Sequence, residues 1–286
     1  MPNLKDLKKR INSVKKTEQI TKAMRMVAAA KLRRAQTDIV AARPYAIKMN
    51  EVLVSLVSRT NPDMHPILRV REPKRGVLVV VASDRGLCGA FNQNVFRKAE
   101  AFIRENKGRY EELSLVLVGK KAFDFYKRKK VNIRKSYVIG SPSFDLSSEI
   151  CDDLIGGYVN QEFDELTIIF NEFKSAMTQI LHVNRVLPVE PMEAEEDDSN
   201  IEYLYEPSED VLLEALLPMS LKVFFYRALL ESAASEHGAR MTAMESASGN
   251  AGEMISKLSI KYNRLRQASI TTELMEVVSG AEALKG

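Results

Sequence analysis

The chain has 286 residues, 45% of them hydrophobic, two cysteines and a net charge of +4. That is enough apolar material for one large or two smaller cores, and Cys88 and Cys151, far apart and without CxxC neighbours, indicate neither a disulfide framework nor a zinc site. The longest apolar run, Gly76–Ala82, falls far short of the roughly 20 residues that cross a bilayer, and the N-terminus is too charged for a signal peptide, so the chain is expected to stay in a reducing cytoplasm.

Charge is unevenly spread: residues 1–43 carry twelve Lys/Arg against Asp6, Glu18 and Asp38, a surplus that points to an acidic partner. Within that segment Leu4, Leu7, Ile11 and Val14 follow the 3-4-3 spacing of a coiled-coil seam. Asn3 can cap the helix, and Asp6 sits in the first turn, where the helix dipole favours an anion. Strict heptads would next place Glu18, Thr21 and Arg25 in the seam, whereas Ile20, Met24 and Val27 carry the apolar pattern on a shifted phase, which predicts a local change of supercoil. Val52, Leu53, Leu56 and Val57 continue the pattern past Pro44, so helix is expected to about Ser58, with a kink at the proline.

The middle of the chain alternates between periods. Strands are expected at 76–83, 113–119, 132–140, 166–173 and 179–190, with helices at about 89–105, 120–129 and 147–162 between the first four. This alternation predicts a mostly parallel, doubly wound sheet whose last pair of strands is antiparallel. Beyond it, "EAEEDD" (193–198) reads as a solvated acidic loop.

A second long helix is expected after Ser208, an N-cap followed by Glu209 and Asp210, with distortion at Pro218. Its apolar face runs through Leu221, Phe224, Phe225 and Ala228, then Ile255, Leu258, Tyr262 and Leu265, and finally Ile270, Leu274, Val277, Ala281 and Leu284. Some 75 helical residues at ~1.5 Å each reach ~110 Å, too long for a compact domain. The two heptad stretches are therefore expected to wind around each other, antiparallel if both leave the same side of the middle segment. Gly238, Gly249 and Gly252 each cost about 1 kcal/mol of helix stability relative to Ala, which packing must offset or the rod bends there. The fold class is thus α/β plus α: a long antiparallel coiled coil of residues 1–60 and 207–286, with a central doubly wound, Rossmann-like α/β domain at 74–206.

"VVVASDRGLCGAFN" (79–92) has the parts of a phosphate cradle, a buried strand, a glycine turn and a helix start. The motifs fail in detail. Gly86 and Gly89 do not make GxGxxG; Gly119-Lys120 lacks the earlier glycine and the Ser/Thr of a P-loop. No spacing ties His65, His182 or His237 to Cys88 as a base. A tight structural turn fits better than an anion site or a nucleophile, and no cofactor, metal or catalytic residue is expected.

"ITKAMRMVAAAKLRRAQ" (20–36), "SDRGLCGAFN" (83–92), "YLYEP" (203–207), "ARMTAM" (239–244) and "YNRLRQASITTELMEVVSGAEAL" (262–284) together resemble the gamma subunit family of the rotary, F-type ATP synthase, in order and from end to end. The resemblance implies a non-catalytic rotor shaft. Its coiled coil would insert into a head of three alpha and three beta subunits, its α/β domain would form the foot on a membrane c ring beside the epsilon subunit, and nucleotide sites would belong to alpha and beta. It would place the chain at the cytoplasmic face of the inner membrane, held there only through the complex. Lys22 and Met24 match positions facing an acidic loop of beta. Arg240, Arg266, Gln267, Thr271, Glu273 and Glu276 match polar contacts with the head, and Tyr203 and Tyr205 match the foot near the c ring and epsilon. Chloroplast-type members carry a cysteine-bearing insertion before "YLYEP"; residues 188–203 here hold only the acidic loop, so redox regulation by that device is not expected.

Each reading has a plainer rival. Met24 can be coiled-coil core, the basic helix a solvated face, and Glu273 and Glu276 ordinary surface residues. A basic helical arm could instead bind nucleic acid, although no aromatic residue precedes Tyr45 to stack on bases. A soluble enzyme with a cofactor in the α/β domain is disfavoured by the missing fingerprints.

Overall fold

The computed structural model describes residues 4–59, 65–189 and 209–283. Asn3, the acidic run 193–198, Tyr203, Tyr205 and Ser208 lie outside them. In chain order the elements are α1 (Leu4–Arg59), β1 (Arg75–Val81), α2 (Phe91–Glu105), β2 (Glu112–Val118), α3 (Lys120–Tyr126), β3 (Asn132–Tyr137), α4 (Phe144–Val159), β4 (Glu165–Phe173), β5 (Gln179–Leu187) and α5 (Glu209–Ala283). Pro44 and Pro218 both lie inside helices. The chain divides into two compact units, one of residues up to Val27 and from Met241 onward, the other of Ala28–Arg240.

The second unit holds the sheet, in the order β3-β2-β1-β4-β5. β1 to β4 run parallel and β5 pairs antiparallel with β4, as the pattern predicts. Alternation along β1 explains why helices cover both faces: successive side chains point to opposite sides. Val77, Val79 and Val81 pack with Ile150, Leu154 and Tyr158 of α4 and with Leu221, Phe225 and Leu229 of α5. Leu78, Val80 and Ala82 pack with Val95, Phe96 and Ala99 of α2 and with Ala122 and Tyr126 of α3. Both β1 faces are fully buried, so truncating a residue such as Leu154 to Ala should cost about 2–5 kcal/mol. α4 begins where Ser143 Oγ accepts the Leu146 N–H at 3.2 Å, with Asp145 in the first turn. The α1 and α5 segments of this unit meet antiparallel, with Val57 clustered against Leu213 and Leu217.

In the first unit α1 and α5 are again antiparallel. Arg25 pairs with Glu245 at 3.1 Å, and Glu18, seven residues earlier, lies beside Gly252, seven residues later. The seam differs from the expected phase shift. Leu7, Ile11 and Thr21 are buried and Glu18 is half-buried, so the strict heptad holds to Thr21; at the next step Arg25 is exposed and Met24 half-buried, while Ile20 and Val27 are more than half exposed. The opposing stretch of α5 offers Ser248, Ala251 and Gly252, small residues that let the helices approach closely. A threonine then suffices to fill the seam, its hydroxyl donating to the Glu18 carbonyl at 3.0 Å.

α5 also outruns its partner. Following the register, Leu4 falls opposite Arg266, leaving about 25 Å of α5 with no described α1 residue beside it. The apolar run from Ile270 is therefore not coiled-coil core here: Ile270, Leu274, Met275, Val277 and Val278 are 48–70% exposed.

Candidate functional site

In an open doubly wound sheet, ligands bind outside the carboxyl ends of the strands, where the chain reverses its direction of winding. Here that point lies between β1 and β4, at the glycine turn. The turn is built to close, with left-handed backbone at Leu87 (φ 63) and Gly89 (φ 58). Ser83 N donates to Asn92 Oδ1 at 3.0 Å, and Asn92 Nδ2 returns a bond to Ser83 Oγ at 2.8 Å. Gly119 (φ 101) brings the start of α3 against the end of β1, and a β-carbon there would stand 2.2 Å from the Ala82 carbonyl oxygen. Only glycine permits that approach.

Two of the N–H groups at this end of the sheet are already used. Asp84 Oδ1 accepts from Lys120 N at 2.9 Å, and Asp84 Oδ2 accepts from Gly140 N at 2.7 Å. A carboxylate of the chain itself thus sits where a bound anion would be held. Cys88 is 1% exposed, beside Ser83 Oγ, Asn92 Nδ2 and the Arg85 carbonyl, and burial pushes its thiol up, opposite to the needs of a nucleophile. Among the described residues no His/Cys/Asp/Glu cluster could hold a metal.

Helix α5 fills the rest of the crevice. Glu231 Oε2 accepts the N–H of Phe173, the last residue of β4, at 2.9 Å. Gly238 lies against Ala176 and Phe173, where a β-carbon would find atoms at 3.2–3.4 Å. On the β1 side, Arg240 Nη2 donates to the carbonyls of Arg85 and Gly86, each at 3.2 Å, and pairs with Glu236 Oε1 at 2.6 Å. Arg240 Nη1 donates to His237 Nδ1 at 3.2 Å, which fixes that ring as neutral with its proton on Nε2. Burial, with the charges of Arg240 and Lys31, lowers His237 to about 4. Burial raises the Glu236 carboxyl despite Arg240. A larger cleft of about 640 Å³ opens elsewhere, between α1 and α5 beside Phe144, and is lined largely by apolar side chains such as Ile39, Val223 and Leu230.

The other residues singled out in the sequence are dispersed. Lys22 is exposed and paired with Glu18 at 2.6 Å; Met24 is half-buried beside the seam. Arg266 is exposed at the level of Leu4, and Gln267, Thr271, Glu273 and Glu276 are exposed on the part of α5 that outruns α1. Thr271 Oγ1 donates to the Gln267 carbonyl at 2.9 Å, and Ser269 Oγ to Glu273 Oε1 at 3.2 Å. Among those that are described, Arg240 alone is buried. Asp84, Glu231 and Glu236 escape the sequence reading, although Asp84 lies inside the quoted turn and Glu236 stands four residues before Arg240, the spacing of a helical ion pair.

The ATP synthase family model matches residues 3–284. The chain is 52% identical to an ATP synthase gamma chain from Geobacter sp. strain M21, over all of both chains, and 47% identical, again over all of both, to one from Anaeromyxobacter dehalogenans. A chain of the central stalk and c ring of Tetrahymena thermophila mitochondrial ATP synthase superposes with a TM-score of 0.61 at 27% identity, covering 80% of this chain and 99% of that one. A chain of the Euglena gracilis mitochondrial ATP synthase, 22% identical, shares the fold with a TM-score of 0.70 over 98% of this chain and 94% of its own.

Proposed function

This chain belongs to the ATP synthase gamma-chain family, and on that premise we propose how its geometry serves as the central shaft of a rotary ATP synthase. It is a non-catalytic subunit that couples ion-driven rotation of a membrane c ring to conformational change at catalytic beta subunits. The observation that carries this reading is the overrun of α5, about 25 Å of single helix with an exposed apolar face. An exposed apolar face of this kind marks an interaction site. A sleeve of alternating alpha and beta subunits is the covering proposed. Arg266, Gln267, Thr271, Glu273 and Glu276, at the start of or on the same stretch, make polar contacts with it, and Lys22 and Met24 meet the acidic loop of beta.

Rotation explains why those contacts are exposed charges and amides. A shaft turning among three identical beta subunits biases their conformations only through contacts that differ from one to the next. Exposed charge pairs are weak and screened, so they break and re-form at little cost. Residues 1–60 and 207–286 form the shaft in this reading and 74–206 the foot, with Tyr203 and Tyr205 facing the c ring and epsilon. No described helix is long and apolar enough to cross a membrane, and the complex is what holds the chain at the cytoplasmic face of the inner membrane.

Co-purification of the tagged chain with alpha and beta subunits of its own organism tests the reading. A complex of three alpha, three beta and one copy of this chain, with ATPase activity that depends on it, is expected. A chain that ignores that pair and retains nucleic acid with steep salt dependence would instead favour a basic arm.

A further inference from the structure

A shaft transmits torque only if its foot cannot slip around it. The crevice of the α/β unit grips α5 at two levels. Glu231 is bonded to the end of β4 and Arg240 to the turn after β1, nine residues later. At about 100° and 1.5 Å per residue the two anchors stand on opposite sides of the helix and about 14 Å apart along it. Gly238 falls on the Glu231 side and meets the loop after β4; Glu236 falls near the Arg240 side and holds its guanidinium. The turn that receives Arg240 is itself fixed, because Asp84 ties it to the backbone at the starts of the segments after β2 and β3. Glu231 and Arg240 are buried and Glu236 nearly so, unlike the exposed ion pairs elsewhere on the helices, while Asp84 is half-buried.

We propose that Glu231 and Arg240, with Glu236 orienting the latter, are positioning residues that lock α5 against rotation in the crevice of the foot, so that torque passes from the sheet into the helix. The inference rests on the rotor reading. Two charged anchors on opposite sides of a helix form a couple that opposes twist in either sense, which a smooth apolar seat does not. The crevice where related sheets hold ligands is here the socket of the shaft.

The test uses the assembled head with a bead on the foot, watched during ATP-driven rotation under viscous load. For Glu231→Ala with Arg240→Ala, we expect slips of the bead per ATP consumed to rise about tenfold or more for each charged hydrogen bond removed. Glu231→Gln with Arg240→Lys, which keep an acceptor and a cation, should recover most of the loaded torque. If the alanine pair does not assemble, single Arg240→Lys and Arg240→Gln variants decide, the glutamine slipping more than the lysine. Full loaded torque in the alanine pair, or equal torque in the two single variants, overturns the lock. A wild-type foot that does not turn at all under ATP instead overturns the rotor reading.

Discussion

A β-carbon added to Gly238 would stand 3.2 Å from the Ala176 Cα and 3.4 Å from its carbonyl oxygen, with a Phe173 ring carbon at 3.3 Å. Helix propensity favours alanine over glycine by about 1 kcal/mol, so Gly238 is kept at a cost by close approach to the loop after β4. Gly249 has nothing within 4 Å of the same position. Gly249→Ala should therefore raise the stability of the chain by up to about 1 kcal/mol, while Gly238→Ala gives no gain or a loss. Urea unfolding of the two variants distinguishes them; equal stabilisation would contradict the tight seat.

Tyr126 is fully buried among Phe96 and Phe125, and its hydroxyl has no hydrogen-bond partner among the described residues. An unpaired buried hydroxyl costs about 1–3 kcal/mol of desolvation, whereas the ring contacts do not depend on it. Tyr126→Phe is expected to stabilise by roughly 1 kcal/mol, seen as a higher urea midpoint at unchanged slope. A loss of stability would mean that the hydroxyl has a bound-water partner.

His237 gives the α/β unit an acid-sensitive joint. Its folded value of about 4 lies below the ordinary 6.5, so the unfolded chain binds more protons between those values. The contribution is present above pH 6.5 and lost as pH falls towards 4, by roughly 1–3 kcal/mol once partial exposure is allowed for. Glu236, raised by burial, titrates in the opposite sense and is unchanged by a substitution at His237. His237→Gln, whose amide oxygen can still accept from Arg240, should flatten the acid limb of stability against pH. Identical limbs would show that the ring does not titrate in this window.

Strand and helix positions were legible in the chain because period-2 and heptad patterns report burial directly; the order of the strands was not, and the antiparallel ends rested on both helices leaving the same side of the middle segment. The seam between residues 18 and 28 was not legible either. The eye follows Ile20 and Val27, but burial there is decided by the small residues of a partner more than 200 positions away. Likewise the heptad run from Ile270 signals an apolar face without saying what covers it, since the length of α1 decides where the pairing ends. The glycine turn was read as structural from failed motifs, and Asp84 as its internal anion depends on backbone N–H groups from two later loops, which no local motif encodes.

Both thiols are 1% exposed and raised by burial, Cys88 in the glycine turn and Cys151 in α4. Thiolates are scarce at neutral pH and access is blocked, so neither disulfide exchange nor oxidation is favoured. Dithiothreitol should leave the ATPase activity of the assembled complex unchanged. A reproducible several-fold activation would point to a thiol switch that the buried cysteines do not explain.

Gln267 and Glu273 are exposed on the unpaired part of α5, and their described bonds are local: the Gln267 carbonyl accepts from Thr271, and the Glu273 carboxylate from Ser269. Only the second involves a replaced side chain. Exposed substitutions of this kind usually change stability by less than about 0.5 kcal/mol, so Gln267→Leu with Glu273→Ala should leave the fold of the isolated chain intact. In the assembled enzyme the same pair removes an amide and a carboxylate from the stretch proposed to meet the head. Proton-driven ATP synthesis should then fall more than ATP hydrolysis, because synthesis depends on the shaft holding its angular position against the head under load. Normal synthesis by a fully assembled double variant would remove these two residues from the coupling surface and leave the apolar face from Ile270 to Val278 as the part of the tip that engages the sleeve.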